Sequence, residues 1–264
     1  MPELPEVERA RALIERAALG RRIAEVDDAD TYVCRPHAPG EIADVLTGAT
    51  LVAAHRRGKS MWVETDRGPV LGLHLGMAGR IIVDDETAGD PHLGSEADPS
   101  WRRFTLTFED GGRMVLFDKR RLGRARLDPD LSGVGPDAAL ISRDAFRERV
   151  GQGGAPLKAR LMDQAVIAGV GNLLADETLW QARQPPLRPA GDLDEAELDQ
   201  LRRVLRASTR RAILRGGVHT GDVMPHRRRD GVCPRCGAAM SRATVGGRTT
   251  YWCSAEQAWP PLVP

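Results

Sequence analysis

Long apolar runs are missing from this chain. No stretch of the 264 residues approaches the roughly 18 consecutive apolar positions of a membrane-spanning helix, and no signal peptide precedes the rest. The expectation is a soluble, cytoplasmic protein with no membrane partner. Net charge is almost absent as well. The 38 Lys and Arg are balanced by 37 Asp and Glu to leave +1, so whole-chain charge does not announce a nucleic-acid binder. There are only 4 cysteines, with all but Cys34 near the C-terminus, which excludes a disulfide framework. No internal repeat and no low-complexity segment is visible. What remains is a chain whose 41% apolar residues suffice for real cores, long enough for one large domain or two modest ones plus a small module.

The charge that is present is unevenly placed. Basic residues cluster at Arg102-Arg103, from Lys119 to Arg126 and from His226 to Arg229, while acids gather between Asp192 and Asp199. Such a distribution can give one positive face. Periodicity divides the chain further. Val7, Ala10, Leu13, Ile14 and Ala17 mark an amphipathic helix over 5–19, stopped by Gly20. Short β-branched or alternating runs at 23–26, 51–55, 61–64, 70–74, 81–83, 104–108 and 114–117 predict strands of a sandwich. Residues 84–100, rich in Gly, Pro and Asp, read as a long exposed loop, and 130–136 as a linker. Helical patterns follow at 143–150 (capped by Ser142), 157–164 and 171–184, then in a long helix capped by Asp194 and closed by Gly216-Gly217. The fold class is therefore α+β and multidomain. Its expected parts are a sandwich with one helix over 1–130, a helical domain over 131–222 and a zinc-ribbon-like hairpin over 223–264.

Three constellations carry chemistry. The chain opens Met1-Pro2-Glu3-Leu4-Pro5-Glu6-Val7-Glu8. Initiator methionine is normally removed before a small residue, and the secondary amine so freed on Pro2 can attack an aldehyde carbon to give an iminium. Glu3 beside it is placed to shuttle protons, and Glu6 to help order the site. At the other end, Cys233-Pro-Arg-Cys236 followed by Cys253 has ribbon spacing for zinc. A complete set would have a fourth cysteine where Glu256 stands. Glu256 and His226 are both candidates for the fourth ligand, and the hairpin can also fold without metal. In the middle, Gly169-Val-Gly171-Asn172 opening a helix makes a backbone nest for a phosphate.

The opening octapeptide, with the elements that follow in order, resembles the formamidopyrimidine-DNA glycosylase and endonuclease VIII family of bacterial repair enzymes. The resemblance runs from Met1 to about Cys253. It implies a bifunctional DNA glycosylase and abasic-site lyase acting on damaged double-stranded DNA, a monomer in the bacterial cytoplasm at the nucleoid. It implies Pro2 as nucleophile with Glu3 as proton carrier. Lys158 and Asn172, on a helix–two-turn–helix element, would grip phosphates with Lys59 of Arg56-Arg57-Gly58-Lys59 and with Arg248 on the ribbon's hairpin turn. Met77, Arg120 and Leu122 would fill the gap left by a flipped base, Leu122 standing where the family has phenylalanine. The segment between Gly217 and Cys233 is short for the loop that caps an oxidised guanine. The lesion class is thus open between oxidised purines and pyrimidines. A lyase acting only on abasic sites and a damage-binding protein without turnover remain the alternatives.

Overall fold

The computed structural model describes residues 2–89 and 98–259. The chain divides into two compact units, Met1–Leu131 and Ser132–Pro264. Helix and sheet are mixed throughout, as the patterning implies.

The first unit opens with α1 (Leu4–Ala17). Two sheets follow, formed by β1 (Ile23–Asp27), β2 (Leu51–Arg57), β3 (Ser60–Thr65), β4 (Val70–His74), β5 (Arg80–Val83), β6 (Glu86–Gly89), β7 (Arg102–Phe108), β8 (Arg113–Phe117) and β9 (Arg124–Leu127). One sheet has the order β1-β7-β8-β5-β6 and the other β2-β3-β4-β9; every pairing is antiparallel. A single apolar cluster joins Phe104, Leu106 and Phe108 of the first sheet to Met61, Val63, Leu71 and Leu73 of the second. That is the sandwich expected from the alternation. Val7, Ala10, Leu13 and Ile14 of α1 enter the same cluster, one helical face pressed on the sheets. Burial of Val7, Leu13 and Ile14 contributes about 1.5–3 kcal/mol each.

Three elements of this unit were not anticipated. β6 lies inside the stretch read as an exposed loop, where it pairs with β5 as an edge strand; within that stretch, 90–97 falls outside the described residues. β9 completes the second sheet. α2 (Glu41–Leu46) is a short helix whose first amides are capped from a distance. Asp28 accepts the N–H groups of Gly40 (2.8 Å), Ile42 (2.9 Å) and Ala43 (3.2 Å).

The second unit is helical and ends in a hairpin. It contains α3 (Arg143–Val150), α4 (Leu157–Met162), α5 (Asn172–Ala182) and α6 (Glu195–Arg215), then β10 (Met240–Val245) and β11 (Arg248–Cys253). Ser142 Oγ accepts the Ala145 N–H at the start of α3, as expected. α4 stops at Met162, two residues short of the expected end. Asp194 and Glu197 close a capping box on α6 through bonds of 2.8 and 3.0 Å, and Gly216 ends it at φ 105°. β10 and β11 are joined by Gly246-Gly247, both at positive φ, the two-residue turn that suits the right-handed twist of a hairpin.

Candidate active site and nucleic-acid interface

At the start of α1, Pro2 is buried and the carboxylates of Glu3 and Glu6 are 1% and 3% exposed. The Glu3 backbone N–H donates to Glu6 Oε2 at 2.9 Å. Glu6 thereby fixes the backbone beside Pro2. One turn later Glu8 ties the helix to the second sheet, accepting from Arg11 Nε (3.0 Å) and from Arg56 Nε of β2 (2.8 Å). Burial works to raise the Glu8 carboxyl, but these two guanidiniums hold it below its ordinary value. Arg56 Nη1 also donates to the carbonyl of Gly58, in the tight Gly58-Lys59 turn between β2 and β3. Gly58 lies at φ 61°, and Lys59 is half-buried on the turn. The helix that follows Pro2 and the turn that carries Lys59 are thus joined through Glu8–Arg56.

A second pair of loops brings the expected wedges together. Met77 is 41% exposed in the turn after β4. Gly76 beside it, at φ 59°, backs onto the other loop so closely that a Cβ there would lie 2.4 Å from the carbonyl carbon of Leu122. Asp118, fully buried, organises that other loop. Its Oδ1 accepts the Arg120 N–H (2.9 Å) and its Oδ2 those of Leu122 and Gly123 (2.7 Å each). A carboxylate satisfied by three amides fixes the backbone and leaves the Arg120 side chain outside, where it is exposed. On the Met77 side, His74 Nδ1 accepts the Gly76 N–H at 3.0 Å. Burial first, and then the positive charges of Lys59, Arg126 and Arg124, push the His74 imidazole down to about 4. It is therefore neutral at physiological pH, with its acceptor turned to the Met77 turn.

In the second unit, the side chains of Lys158 and Asn172 meet. Lys158 Nζ donates to Asn172 Oδ1 at 2.6 Å. Lys158 is nevertheless 0% exposed. Its ammonium also pairs with Asp176 Oδ1 (2.7 Å) and donates to Thr250 Oγ1 of β11 (2.7 Å). In this structure its charge faces inward and ties α4 and α5 to the hairpin. Gln164 shapes the turn between those helices, donating to the carbonyls of Met162 and Val170 and accepting the Gly169 N–H. The hairpin tip rests on α4, with Gly246 against Ala159 and Met162, and Arg248 stands exposed at the start of β11.

Below the tip, Cys233, Cys236, Cys253 and Glu256 place their ligand atoms within 4.8 Å of one another. Cys236 and Cys253 sulfurs are 3.4 Å apart, near the ~3.8 Å edge of a tetrahedron with metal–sulfur bonds of about 2.3 Å. His226 is not part of the cluster. Burial opposes the Cys233 thiolate, but the Trp180 indole N–H (3.3 Å) and nearby amides bring it down to about 7. Burial pushes Cys253 up to about 11. Arg235 Nη1 donates to Glu256 Oε2 at 2.7 Å, and Arg183 lies 3.7 Å from its other oxygen. Three sulfurs and a carboxylate next to two guanidiniums fit a divalent cation, whose surplus of negative ligand charge the arginines offset.

Sequence reasoning singled out mainly residues that present charge or bulk and left several that hold them without a role. Asp118, Asp176, Thr250 and His74 had no role assigned. For Asp118 a local signal exists, since an aspartate at the head of a tight turn commonly accepts the amide two residues on, here that of Arg120.

Comparison with known proteins agrees with this arrangement. Residues 1–125 match the model of the formamidopyrimidine-DNA glycosylase N-terminal domain, and 133–223 that of the formamidopyrimidine-DNA glycosylase H2TH domain. The formamidopyrimidine-DNA glycosylase of Roseiflexus sp. (strain RS-1) is 34% identical over 96% of this chain and 98% of its own length. That of Nocardioides sp. is also 34% identical, over 98% of this chain and 95% of its own. Among solved structures, Lactococcus lactis Fpg in complex with abasic-site DNA superposes with a TM-score of 0.82 at 25% identity, covering 97% of this chain and 99% of the other. The same enzyme bound to DNA containing Fapy-dG gives 0.82 at 25% identity over 97% and 100%.

Proposed function

Because the chain belongs to the formamidopyrimidine-DNA glycosylase family, we propose that it excises oxidised bases from duplex DNA and then cuts the strand at the abasic site. The observation that carries this reading is the start of α1, where Pro2 precedes the buried Glu3 and its backbone is fixed by Glu6. With Met1 removed, the Pro2 nitrogen attacks C1′ of the damaged nucleotide and the C1′–base bond breaks, the base leaving with a proton. Glu3 moves protons as the sugar ring opens to an iminium. The iminium acidifies the adjacent C2′–H, and loss of that proton expels the 3′ phosphate; a second elimination expels the 5′ phosphate. The extruded nucleotide leaves a gap, which Met77 and Leu122 occupy while Arg120 faces the orphaned base. Lys59, Asn172 and Arg248 hold phosphates, and Lys158 contributes from beneath by orienting Asn172 and β11. The protein works as a monomer in the cytoplasm, on nucleoid DNA. Among the described residues no helix is long and apolar enough to cross a membrane. Zinc, held by Cys233, Cys236, Cys253 and Glu256, would cross-link the ribbon structurally, away from the chemistry.

Borohydride trapping on a duplex with one abasic site tests the mechanism. Protein confirmed to begin at Pro2 gives a covalent adduct that weakens or shifts in Pro2→Gly. Absence of an adduct from protein that binds the duplex would sink the lyase mechanism and leave damage binding without turnover.

A second reading is favoured by one feature. After α6 the chain makes two short turns, Val218–Thr220 and Met224–His226. These are packed down, with the Val223 N–H on Glu177 Oε2 (3.0 Å) and Arg227 on Asp176. Little chain is left to cover a flipped purine. A lyase restricted to abasic sites, or a glycosylase for smaller oxidised pyrimidines, follows from that. Base-release assays on formamidopyrimidine and oxidised-pyrimidine duplexes separate these outcomes.

A further inference from the structure

The first unit carries a second concentration of positive charge, to which the mechanism assigns nothing. It lies on the loop between β1 and α2 and on the edge strand β9. Tyr32 is 45% exposed, and three guanidiniums surround its ring. The Cζ atoms of Arg35, Arg124 and Arg121 lie 4.3, 5.4 and 5.6 Å from the ring centroid. Arg126 follows Arg124 by two residues on β9, so strand alternation puts both on one face, with the buried Ala125 on the other. Beside them is a shallow, open depression lined among others by Ser60, His74, Arg124 and Arg126.

An ordinary surface arginine sits among carboxylates. Arg121 does, bonded to Asp30 at 2.7 Å. Among the described residues, however, no carboxylate comes within ion-pair distance of Arg35, Arg124 or Arg126. Burial, and next the neighbouring charge of Arg35, draws the Arg124 guanidinium below its ordinary pKa. The fold thus gathers Arg35 and Arg124 around one exposed aromatic ring with no carboxylate of the described residues paired to either. Cation–π contact with Tyr32 holds the guanidiniums in place but does not discharge them. A partner that completes the arrangement must bring several negative charges in a row and tolerate a flat ring. Backbone phosphates do so, because a guanidinium fork matches phosphate oxygens and a tyrosine ring accepts a sugar or base face.

We propose that the Tyr32–Arg35–Arg124–Arg126 face is a further nucleic-acid contact, taking backbone phosphates of the bound DNA away from the damaged nucleotide, with Tyr32 as the residue that positions the arginines. This rests on the DNA-binding reading above. Phosphate contacts carry no sequence information, so the face strengthens binding to damaged and undamaged duplex alike.

The test uses the full chain and measures duplex affinity against KCl concentration, on one duplex with a tetrahydrofuran abasic analogue and one undamaged. In Arg35→Gln/Arg126→Gln, the slope of log K against log salt should become shallower by about 2, with equal loss on both duplexes. Adduct yield at saturating DNA should not change. Arg113→Gln, which removes an exposed arginine of β8, should leave the slope as it was. Tyr32→Ala should weaken binding several-fold where Tyr32→Phe does not, since phenylalanine keeps the ring and loses only the hydroxyl; equal melting temperatures would show that both fold. An unchanged slope in the double variant, with wild-type protein binding normally, overturns this proposal alone. A loss confined to the damaged duplex overturns it as well. Wild-type protein that binds neither duplex overturns it together with the DNA-binding reading.

Discussion

Replacing Lys158 with methionine isolates what a buried charge does in the second unit. Methionine keeps the apolar stem and removes the ammonium. With it go the ion pair to Asp176 Oδ1 (2.7 Å) and the hydrogen bonds to Asn172 Oδ1 (2.6 Å), Thr250 Oγ1 (2.7 Å) and the Thr249 carbonyl (3.5 Å). Truncating one member of a buried ion pair costs about 3–5 kcal/mol because the other charge is stranded. Here the loss is moderated. Asp176 Oδ2 keeps Arg227 at 2.7 Å and the Tyr251 N–H, and the Thr250 hydroxyl still bonds the Arg248 carbonyl. We therefore expect about 3 kcal/mol.

Urea denaturation monitored by tryptophan emission, with hydrogen exchange on peptides covering 172–176 and 249–253, locates and sizes the loss. Exchange should accelerate in both peptides and remain unchanged in the first unit. Adding Asp176→Asn to Lys158→Met should cost at least about 1 kcal/mol less than the sum of the single variants, because the stranded charge is then gone. A loss below about 1 kcal/mol, or strict additivity, would refute the idea that this ammonium holds the hairpin, and would return Lys158 to a directly phosphate-facing role.

Three further outcomes follow from the geometry. Gly76→Ala should cost about 2 kcal/mol or more, because alanine at φ 59° is strained and its Cβ meets the Leu122 backbone at 2.4 Å, which no rotamer relieves; the melting temperature and the affinity for a gapped duplex should fall together. His74, held down to about 4 against an ordinary 6.5, is neutral in the folded protein. Its contribution is fully present above the unfolded value and is lost as pH falls from 6.5 towards 4, by up to about 3 kcal/mol, and His74→Asn, which can still accept the Gly76 N–H, should flatten the stability profile in that window. Purified protein should carry one equivalent of zinc by elemental analysis, and Cys236→Ala none. Chelation should speed exchange in the Cys233–Cys236 turn more than in β10–β11, which Gln257 also secures through the Cys253 N–H (2.9 Å) and the Gln184 carbonyl (2.9 Å).

Much of the fold could be read from local pattern, and the failures share a cause. The seven anticipated strands each carry their own alternation or β-branched run, and α3 and α6 announce their ends with Ser142, Asp194 and Gly216. β6 carries no such signal. Its sequence, Glu86-Thr-Ala-Gly89, is polar, and it is a strand because β5 offers an open edge. β9 is half arginine and owes its place to β4. For α2 the missing information is the cap itself, since Asp28 lies 12 to 15 residues before the amides it accepts. Periodicity reports what a segment buries, whereas a remote partner leaves no trace within the segment.

The candidate site divides along the same line. Pro2, Glu3, Met77, Arg120, Asn172 and Arg248 are legible because their chemistry belongs to the residue type and a short neighbourhood. Lys158 was legible only in part. Its spacing from Asn172 could be read, but its complete burial could not, because that depends on Thr250, 92 residues away. A lysine in a motif with apolar neighbours admits two obvious readings, a solvated surface or a ligand contact. Burial of a charge costs several kcal/mol unless it is paired and hydrogen-bonded, so a third reading, an internal clamp, requires that every partner be in place at once. Asp118 meets that requirement with amides two to five residues ahead, and Lys158 with side chains from two separate elements, α5 and β11. The first kind of clamp can be sought in a sequence. The second becomes visible only when the fold has brought its partners together, and it is the second kind that holds Arg248 on its hairpin beside the helices bearing Asn172.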